Sequence, residues 1–270
     1  MRIDSQKLYK LSILIGMDSF SYVITDDNLK VEAFKSIQLA QPVSSNSYLE
    51  LEDIFSTDEW LQAAYSQTIV TTCAPYFTLV PSKLYKPDMA AAYLEQVANL
   101  ENRYQAVVDA PKKMDFYNVF GVHHFIKNWC SDRFPTSDHH HLISALSRLI
   151  PSDIGDTRND FILCYRLGEQ LAFLICKDGQ FQFSNIFQVT TVAHLTYFLG
   201  LIINQFKLQA AEMQLYLLGD FQEGGSYTDL LQRYIRNVQF LELPLTIQVA
   251  ESLIDAPLKQ IIAPAVSLLD

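Results

Sequence analysis

A chain of 270 residues, 49% hydrophobic and 19% charged with 17 Phe and 14 Tyr, has room for one large or two small domains around a buried core. That composition excludes a disordered chain or a small stapled scaffold. A formal charge of −10 with no basic run sets the chain against a phosphate backbone, so nucleic acid is not an expected partner.

Residues 1–10 are mixed polar and charged and read as no signal peptide. The runs LSILIG (11–16), SFSYVIT (19–25) and LKVEAFKSIQL (29–39) are rich in β-branched and aromatic residues, predicting a three-stranded meander with Asp26-Asp27-Asn28 as its second turn. After the loop QPVSSNS, the spacing of Tyr48, Leu51, Ile54 and Phe55 predicts a helix. Ser56 with Glu59 reads as a capping box opening a further turn through Trp60, Leu61, Ala64 and Tyr65. TIVTTC (68–73) and FTLVP (77–81) read as strands, and Asp88 as the cap of an Ala-rich helix running to Leu100. YQAVVD and DFYNVFGV read as a hairpin around residues 110–113, followed by a helix from about His123 to Ser131. From Asp138 the pattern fits either a continuous helix or a short strand leading into one.

Residues 151–159, rich in Pro, Ser, Gly and Asp, are the linker candidate. DFILCYR, QLAFLIC and FQFSNIFQV then repeat the opening meander, with Lys177-Asp178-Gly179 as the hairpin turn. At an offset of 151, Asp27 falls on Asp178, Tyr22 on Phe173 and Ile24 on Ile175. One deletion after the turn pairs Val31 with Phe181 and Ala33 with Phe183. A helix capped by Thr190 or Thr191 carries Leu195, Phe198, Leu199, Ile202 and Phe206. It is too short for the roughly 20 residues of a membrane span and reads as buried. A strand MQLYLLG, a glycine-rich turn GDFQEGGS, a helix from Ser226, a strand VQFLEL and a last helix near residues 258–269 follow. The predicted fold is α/β, two mixed sheets flanked by helices, with domains at 1–152 and 153–270.

Two such meanders, each followed by alternating helices and strands, resemble the duplicated ribonuclease-H-like unit of the actin-like ATPase superfamily, which includes actin, sugar kinases and Hsp70-type chaperones. The runs LSILIGMDSFSYVI, FTLVP, FYNVFGV and LYLLGDF also resemble segments of an uncharacterised bacterial family with an actin-like ATPase fold, distantly similar to pilus and type II secretion assembly proteins. The resemblance implies an Asp-x-Gly turn after the first strand of each half, its carboxylate holding hydrated magnesium while the backbone cradles phosphate. Here the turns read Leu14-Ile15-Gly16 and Arg166-Leu167-Gly168, and the Gly-Gly turn expected on the adenosine side reads Gly219-Asp220. Both turn aspartates are missing; Asp18 and Glu169 lie just downstream. The candidate cofactor-binding residues are therefore Gly16, Asp18, Arg166, Gly168, Gly219 and Asp220.

Other chemistry finds less support. His139-His140-His141 point in different directions on one element, so the three do not converge on one ion. Cys73, Cys130, Cys164 and Cys176 have no metal or disulfide spacing, which favours reduced thiols in a cytoplasmic protein. Asp18, Asp160, Glu169 and Asp220 are scattered candidates for a two-metal nuclease. The reading is a non-catalytic actin-like scaffold or interaction protein, a pseudo-ATPase needing no cofactor and serving an unidentified protein partner. The alternative is an ATP-binding protein or small-molecule kinase using magnesium and displaced carboxylates.

Overall fold

A computed structural model describes residues 8–43, 47–100, 103–112, 114–150, 160–253 and 256–269. The linker candidate at 151–159 lies outside them. The chain divides into two compact units, residues 1–148 with 245–256 and 263–270, and residues 149–244 with 257–262.

Unit 1 opens with the expected meander, β1 (Tyr9–Ile15), β2 (Ser19–Asp26) and β3 (Lys30–Gln38). Asp26 makes the second turn by accepting the N–H groups of Asn28 and Lys30 on its carboxylate at 2.9 and 3.0 Å, the backbone-mimicking turn that short polar side chains favour. Helix α1 (Tyr48–Thr57) crosses back to β4 (Gln67–Thr72), which lies parallel to β1. Ser56 sits inside α1 and no second helix starts there. Asp58 takes the capping role instead, accepting from Trp60 N–H, Tyr22 Oη–H and Lys35 Nζ.

Between β4 and β8 (Asp138–His141) the chain inserts an antiparallel sheet, in the order β5 (Phe77–Pro81), β7 (Phe116–His123), β6 (Tyr104–Asp109). The Ala-rich helix α2 is confined to Ala90–Glu95, after a 3-10 turn at Pro87–Met89. Helix α3 (His124–Arg133) follows the insertion. At Asp138 the strand-then-helix alternative is the one found, β8 leading into α4 (Leu142–Ser147).

Unit 2 repeats the design with β9 (Phe161–Leu167), β10 (Gln170–Lys177), β11 (Gln180–Gln188), α5 (Val192–Phe206), β12 (Gln214–Gly219), α6 (Ser226–Tyr234) and β13 (Asn237–Phe240). Its strand order, β11-β10-β9-β12-β13, matches β3-β2-β1-β4-β8 in unit 1. The repeat extends to an irregularity: the ladder shifts between Ile24 and Thr25 in one meander and between Ile175 and Cys176 in the other. The pairs beside the shift are Ile24 with Ala33 and Ile175 with Phe183, the positions aligned by the offset of 151 with its one deletion after the turn.

The last segment departs from the expected boundary. Residues after Leu245 were assigned by pattern to the second domain, whereas 245–256 and 263–270 pack with unit 1. The cause is β14 (Gln248–Val249), a two-residue strand with no periodicity to betray it, which pairs parallel to β3. Helix α7 (Leu258–Val266) closes the described chain, with Ser267 Oγ and Thr71 Oγ1 hydrogen-bonded at 2.9 Å.

Each unit has its own core. In unit 1, Leu11, Ile13, Phe20 and Tyr22 of the sheet meet Leu51, Trp129 and Phe134. In unit 2, Ile162, Phe173 and Ile175 meet Leu195, Leu199 and Ile202 on one face of α5. Thr191 caps α5 through the N–H of His194 at 3.2 Å, and Lys207 ends it in the left-handed conformation. Leu199 is 3% exposed, so Leu199→Ala is expected to lower unfolding stability by about 2–5 kcal/mol. Thermal denaturation of the variant checks this, and an unchanged midpoint would make the helix peripheral.

Candidate functional site

The six candidate residues fall into two groups, one in each unit. In unit 1, Gly16 donates its N–H to Ser19 O at 2.9 Å and so tightens the β1–β2 turn. The backbone carbonyl of Asp18 accepts from Leu39 N–H and from Gln38 Nε2, both at 2.8 Å. Leu14, at the position where the resemblance puts a carboxylate, is 1% exposed within the sheet.

Beside this turn lies a pocket of about 310 Å³. Ile15, Val43, Val122 and Ile126 give it apolar walls, and Tyr76, Tyr104 and His123 add polar atoms to its lining. The rings of Tyr76 and Tyr104 meet edge-on at 5.4 Å. Among the described residues, neither Lys, Arg, Asp nor Glu lines it. His123 caps α3, its Nδ1 accepting from Phe125 N–H at 3.1 Å, which leaves the ring proton on Nε2 in the neutral form. Burial first, then the positive charges of Arg103 and His124, lower its pKa. Cys73 in the pocket wall is inert, its thiol pushed up to about 12 by burial and secondarily by the Asp18 carboxylate.

Unit 2 brings Arg166, Gly168, Gly219 and Asp220 into one closed cluster. Parallel pairing of β9 and β12 sets Gly219 opposite Arg166. Gly219 has φ +78°, and a Cβ there would lie 2.1 Å from Arg166 O, so only glycine fits. The chain then turns so that Asp220 N–H donates to Arg166 O at 2.9 Å. The Asp220 carboxylate accepts Gly168 N–H on Oδ2 and Gln260 Nε2 on Oδ1, both at 2.7 Å. Arg166 Nε donates to Gly168 O at 3.0 Å, and its guanidinium lies over the Tyr227 ring, 4.1 Å from the centroid. The backbone N–H of the β9–β10 turn, a donor in the position that cradles phosphate in the superfamily the sequence resembles, is thus already bonded to an anion of the chain itself.

Within unit 2, Asp160 and Glu169 do not converge. Asp160 and Glu169 flank β9 at opposite ends, and Asp160 Oδ1 accepts Asp178 N–H at the β10–β11 turn. Among the described residues no group of three or more His, Cys, Asp or Glu is placed to hold a metal ion.

The histidine run does other work. Alternation along β8 sends His140 Nδ1 to Asp109 Oδ1 at 2.9 Å, while His141 points into the core, its Nδ1 accepting from Ile143 N–H and Asn118 Nδ2 and its Nε2 donating to Ala74 O. Asn118 Nδ2 reaches Ser144 Oγ at 3.1 Å. These bonds fasten β6 and β7 of the inserted sheet to β8, α4 and the end of β4. Burial raises the Asp109 pKa, but hydrogen bonds and charge from His140, together with His141 N–H and Ser144, bring it below the ordinary value. Burial pushes His141 down to about 4.

Pattern reading found the glycines and the two odd residues of the turns, Arg166 and Asp220. It missed Gln260, 40 residues from Asp220, and it missed the pocket, whose walls come from separated segments.

The fold is the actin-like ATPase fold. The chain belongs to the family described as a protein of unknown function, DUF3822, whose model matches residues 1–238. Among solved structures it is similar to a Bacteroides thetaiotaomicron VPI-5482 protein with an actin-like ATPase fold and unknown function. The two share 18% identity over 89% of this chain and 94% of that one, with a TM-score of 0.74. It is also similar to a chain of the PilM–PilN type IV pilus biogenesis complex, at 13% identity over 96% of both chains and a TM-score of 0.64. No curated protein matches the sequence. No helix among the described residues is long and apolar enough to cross a membrane.

Two outcomes test these clusters. Asp220→Ala is expected to cost about 1–3 kcal/mol, because Gly168 N–H and Gln260 lose a charged acceptor, with Asp220→Asn intermediate; chemical denaturation reads both. For His141, the unfolded imidazole takes up a proton below about pH 6.5 that the folded one refuses until about 4. Stability is therefore lost as pH falls through that window, by at most about 1.4 kcal/mol per pH unit. The Asp109 contribution, from a lowered pKa, is present above its unfolded value and lost only at still lower pH. The melting temperature of wild type is expected to fall more steeply between pH 7 and pH 4.5 than that of His141→Gln, as roughly one fewer proton is linked to unfolding in the variant.

Proposed function

We propose that this chain is a non-catalytic actin-like interaction protein, a pseudo-ATPase that holds a protein partner and uses neither ATP nor magnesium. The observation that carries the reading is the 2.7 Å bond from Gly168 N–H to the Asp220 carboxylate. Phosphoryl transfer in actin-like enzymes relies on positioned metal and dipoles more than on covalent help from the protein. A turn whose donor is committed to an internal carboxylate repels a phosphate instead of holding it.

The residues present do not fit a magnesium nucleotide. Leu14 offers no metal ligand, Arg166 is cationic, and Asp220 spends both carboxylate oxygens on the chain itself. Among the described residues, the pocket beside Gly16 has no lysine or arginine in its lining to balance a triphosphate. Its apolar and aromatic walls suit side chains of another protein. The structural likeness to a chain of the PilM–PilN type IV pilus biogenesis complex supports a role in holding a partner. Four buried free cysteines accord with reducing surroundings, and we place the protein in the cytoplasm.

Isothermal titration with ATP, with and without magnesium, tests the reading on wild type and on Arg166→Ala. No binding isotherm is expected in any arm. A micromolar isotherm requiring magnesium would replace the proposal with a working nucleotide site. Metal-independent binding lost in Arg166→Ala would replace it with an anion sensor.

A further inference from the structure

We propose that the pocket beside Gly16 is a binding site for a small uncharged molecule, an aromatic body of about two fused rings carrying one hydrogen-bond acceptor. This goes beyond the interaction reading, which would stand even if the pocket refused every small ring. All the residues that line the pocket belong to unit 1.

The sheet topology opens the pocket. β1 and β4 run parallel, with Ile15 opposite Thr72 at their carboxyl ends. Beyond those ends the chain leaves in opposite directions, from β1 to β2 on one side and from β4, by way of the inserted sheet, to β8 on the other. Connections that diverge in this way leave a crevice at the strand ends, which is where open α/β sheets take their ligands. The inserted sheet supplies a further wall through Tyr104 of β6 and Gly121, Val122 and His123 of β7.

Thr72 marks the crevice as a site. Alternation along β4 turns Thr71 to Ser267 and sends Thr72 to the opposite face, shared with Val70 and with its register partner Ile15. Thr72 is 7% exposed and lines the pocket, and its buried Oγ1 has no hydrogen-bond partner among the described residues. A buried hydroxyl left unpaired is costly, and a ligand that brings it an acceptor recovers that cost. His123 lines the same pocket, and with its Nδ1 taken by Phe125 N–H its ring proton is on Nε2. Two donors among apolar walls ask for an acceptor on the ligand.

Size and charge follow from the other walls. The volume of about 310 Å³ is roughly twice the ~150 Å³ of an engineered apolar cavity that holds benzene, so a bicyclic ring fits. Tyr76 and Tyr104, edge-on to each other at 5.4 Å, offer an aromatic guest ring faces and edges to pack on. With no Lys, Arg, Asp or Glu among the described lining residues, a charged ligand would lose its hydration without gaining a counter-ion.

Isothermal titration of the full chain with 1-indanone, a neutral bicyclic ketone, tests the proposal. Indane, which lacks the acceptor, and indane-1-carboxylate, an anion on the same frame, are titrated beside it. 1-Indanone is expected to bind with a dissociation constant of about 10–300 μM, and the other two at least about tenfold more weakly. Thr72→Val removes the hydroxyl and keeps the branched shape. It should weaken 1-indanone about tenfold without lowering the melting temperature, since no hydrogen bond within the protein is lost. Val43→Trp fills the pocket and should abolish binding, and the Thr72→Val arm decides alone if that variant does not fold. Failure of 1-indanone to bind the wild type at about 1 mM, or equal binding to Thr72→Val, would overturn the proposal. So would indane or the carboxylate bound as tightly as the ketone.

Discussion

One carboxylate organises the strand ends of unit 2. Because β9 and β12 run parallel and Gly219 has no side chain, the backbone after β12 passes close enough to Arg166 O for Asp220 to reach across to Gly168. Its second oxygen holds Gln260 of α7, and the arginine that precedes the turn is parked over Tyr227 of α6. Loss of that charge would leave two donors unserved. The same charge sits where a phosphate would be repelled, so the stability of the cluster and the proposed lack of a nucleotide role would have one cause.

The two units realise one plan with different attachments. Both meanders share strand order and the ladder shift after Ile24 and Ile175. Unit 1 adds a three-stranded sheet between β4 and β8, and the buried network around Asp109, Asn118 and His141 fastens it there. A buried polar connection of this kind depends on its donors and acceptors finding partners, which among the described residues those of Asp109, Asn118 and His141 do, except Asn118 Oδ1. It also makes unit 1 acid-sensitive, since His141 stays neutral where a solvated histidine would charge.

Much of this plan was legible in the sequence. Alternating β-branched and aromatic runs, Asp and Asn at the β2–β3 turn and Asp178-Gly179 at the β10–β11 turn mark the meanders, and the offset of 151 aligns them. The failures have physical reasons. Ser56 and Glu59 have the composition of a capping box, yet Asp58 wins because it satisfies Trp60 N–H, Tyr22 and Lys35 together. β14 is two residues long and gains its identity only by pairing with β3. At the candidate site, Leu14 and Arg166 could be read as standing where the resemblance puts aspartates. What Asp220 does could not be read, because its partners Gly168 and Gln260 lie 52 and 40 residues away.

The claim that the β9–β10 turn is closed by the chain's own anion is tested most directly by the Gly168 amide resonance in nitrogen–proton NMR spectra. A charged acceptor at 2.7 Å predicts a downfield amide proton that moves upfield in Asp220→Asn and does not respond to saturating magnesium and ATP in wild type. A Gly168 resonance indifferent to the substitution, or displaced by magnesium and ATP in wild type, would contradict it.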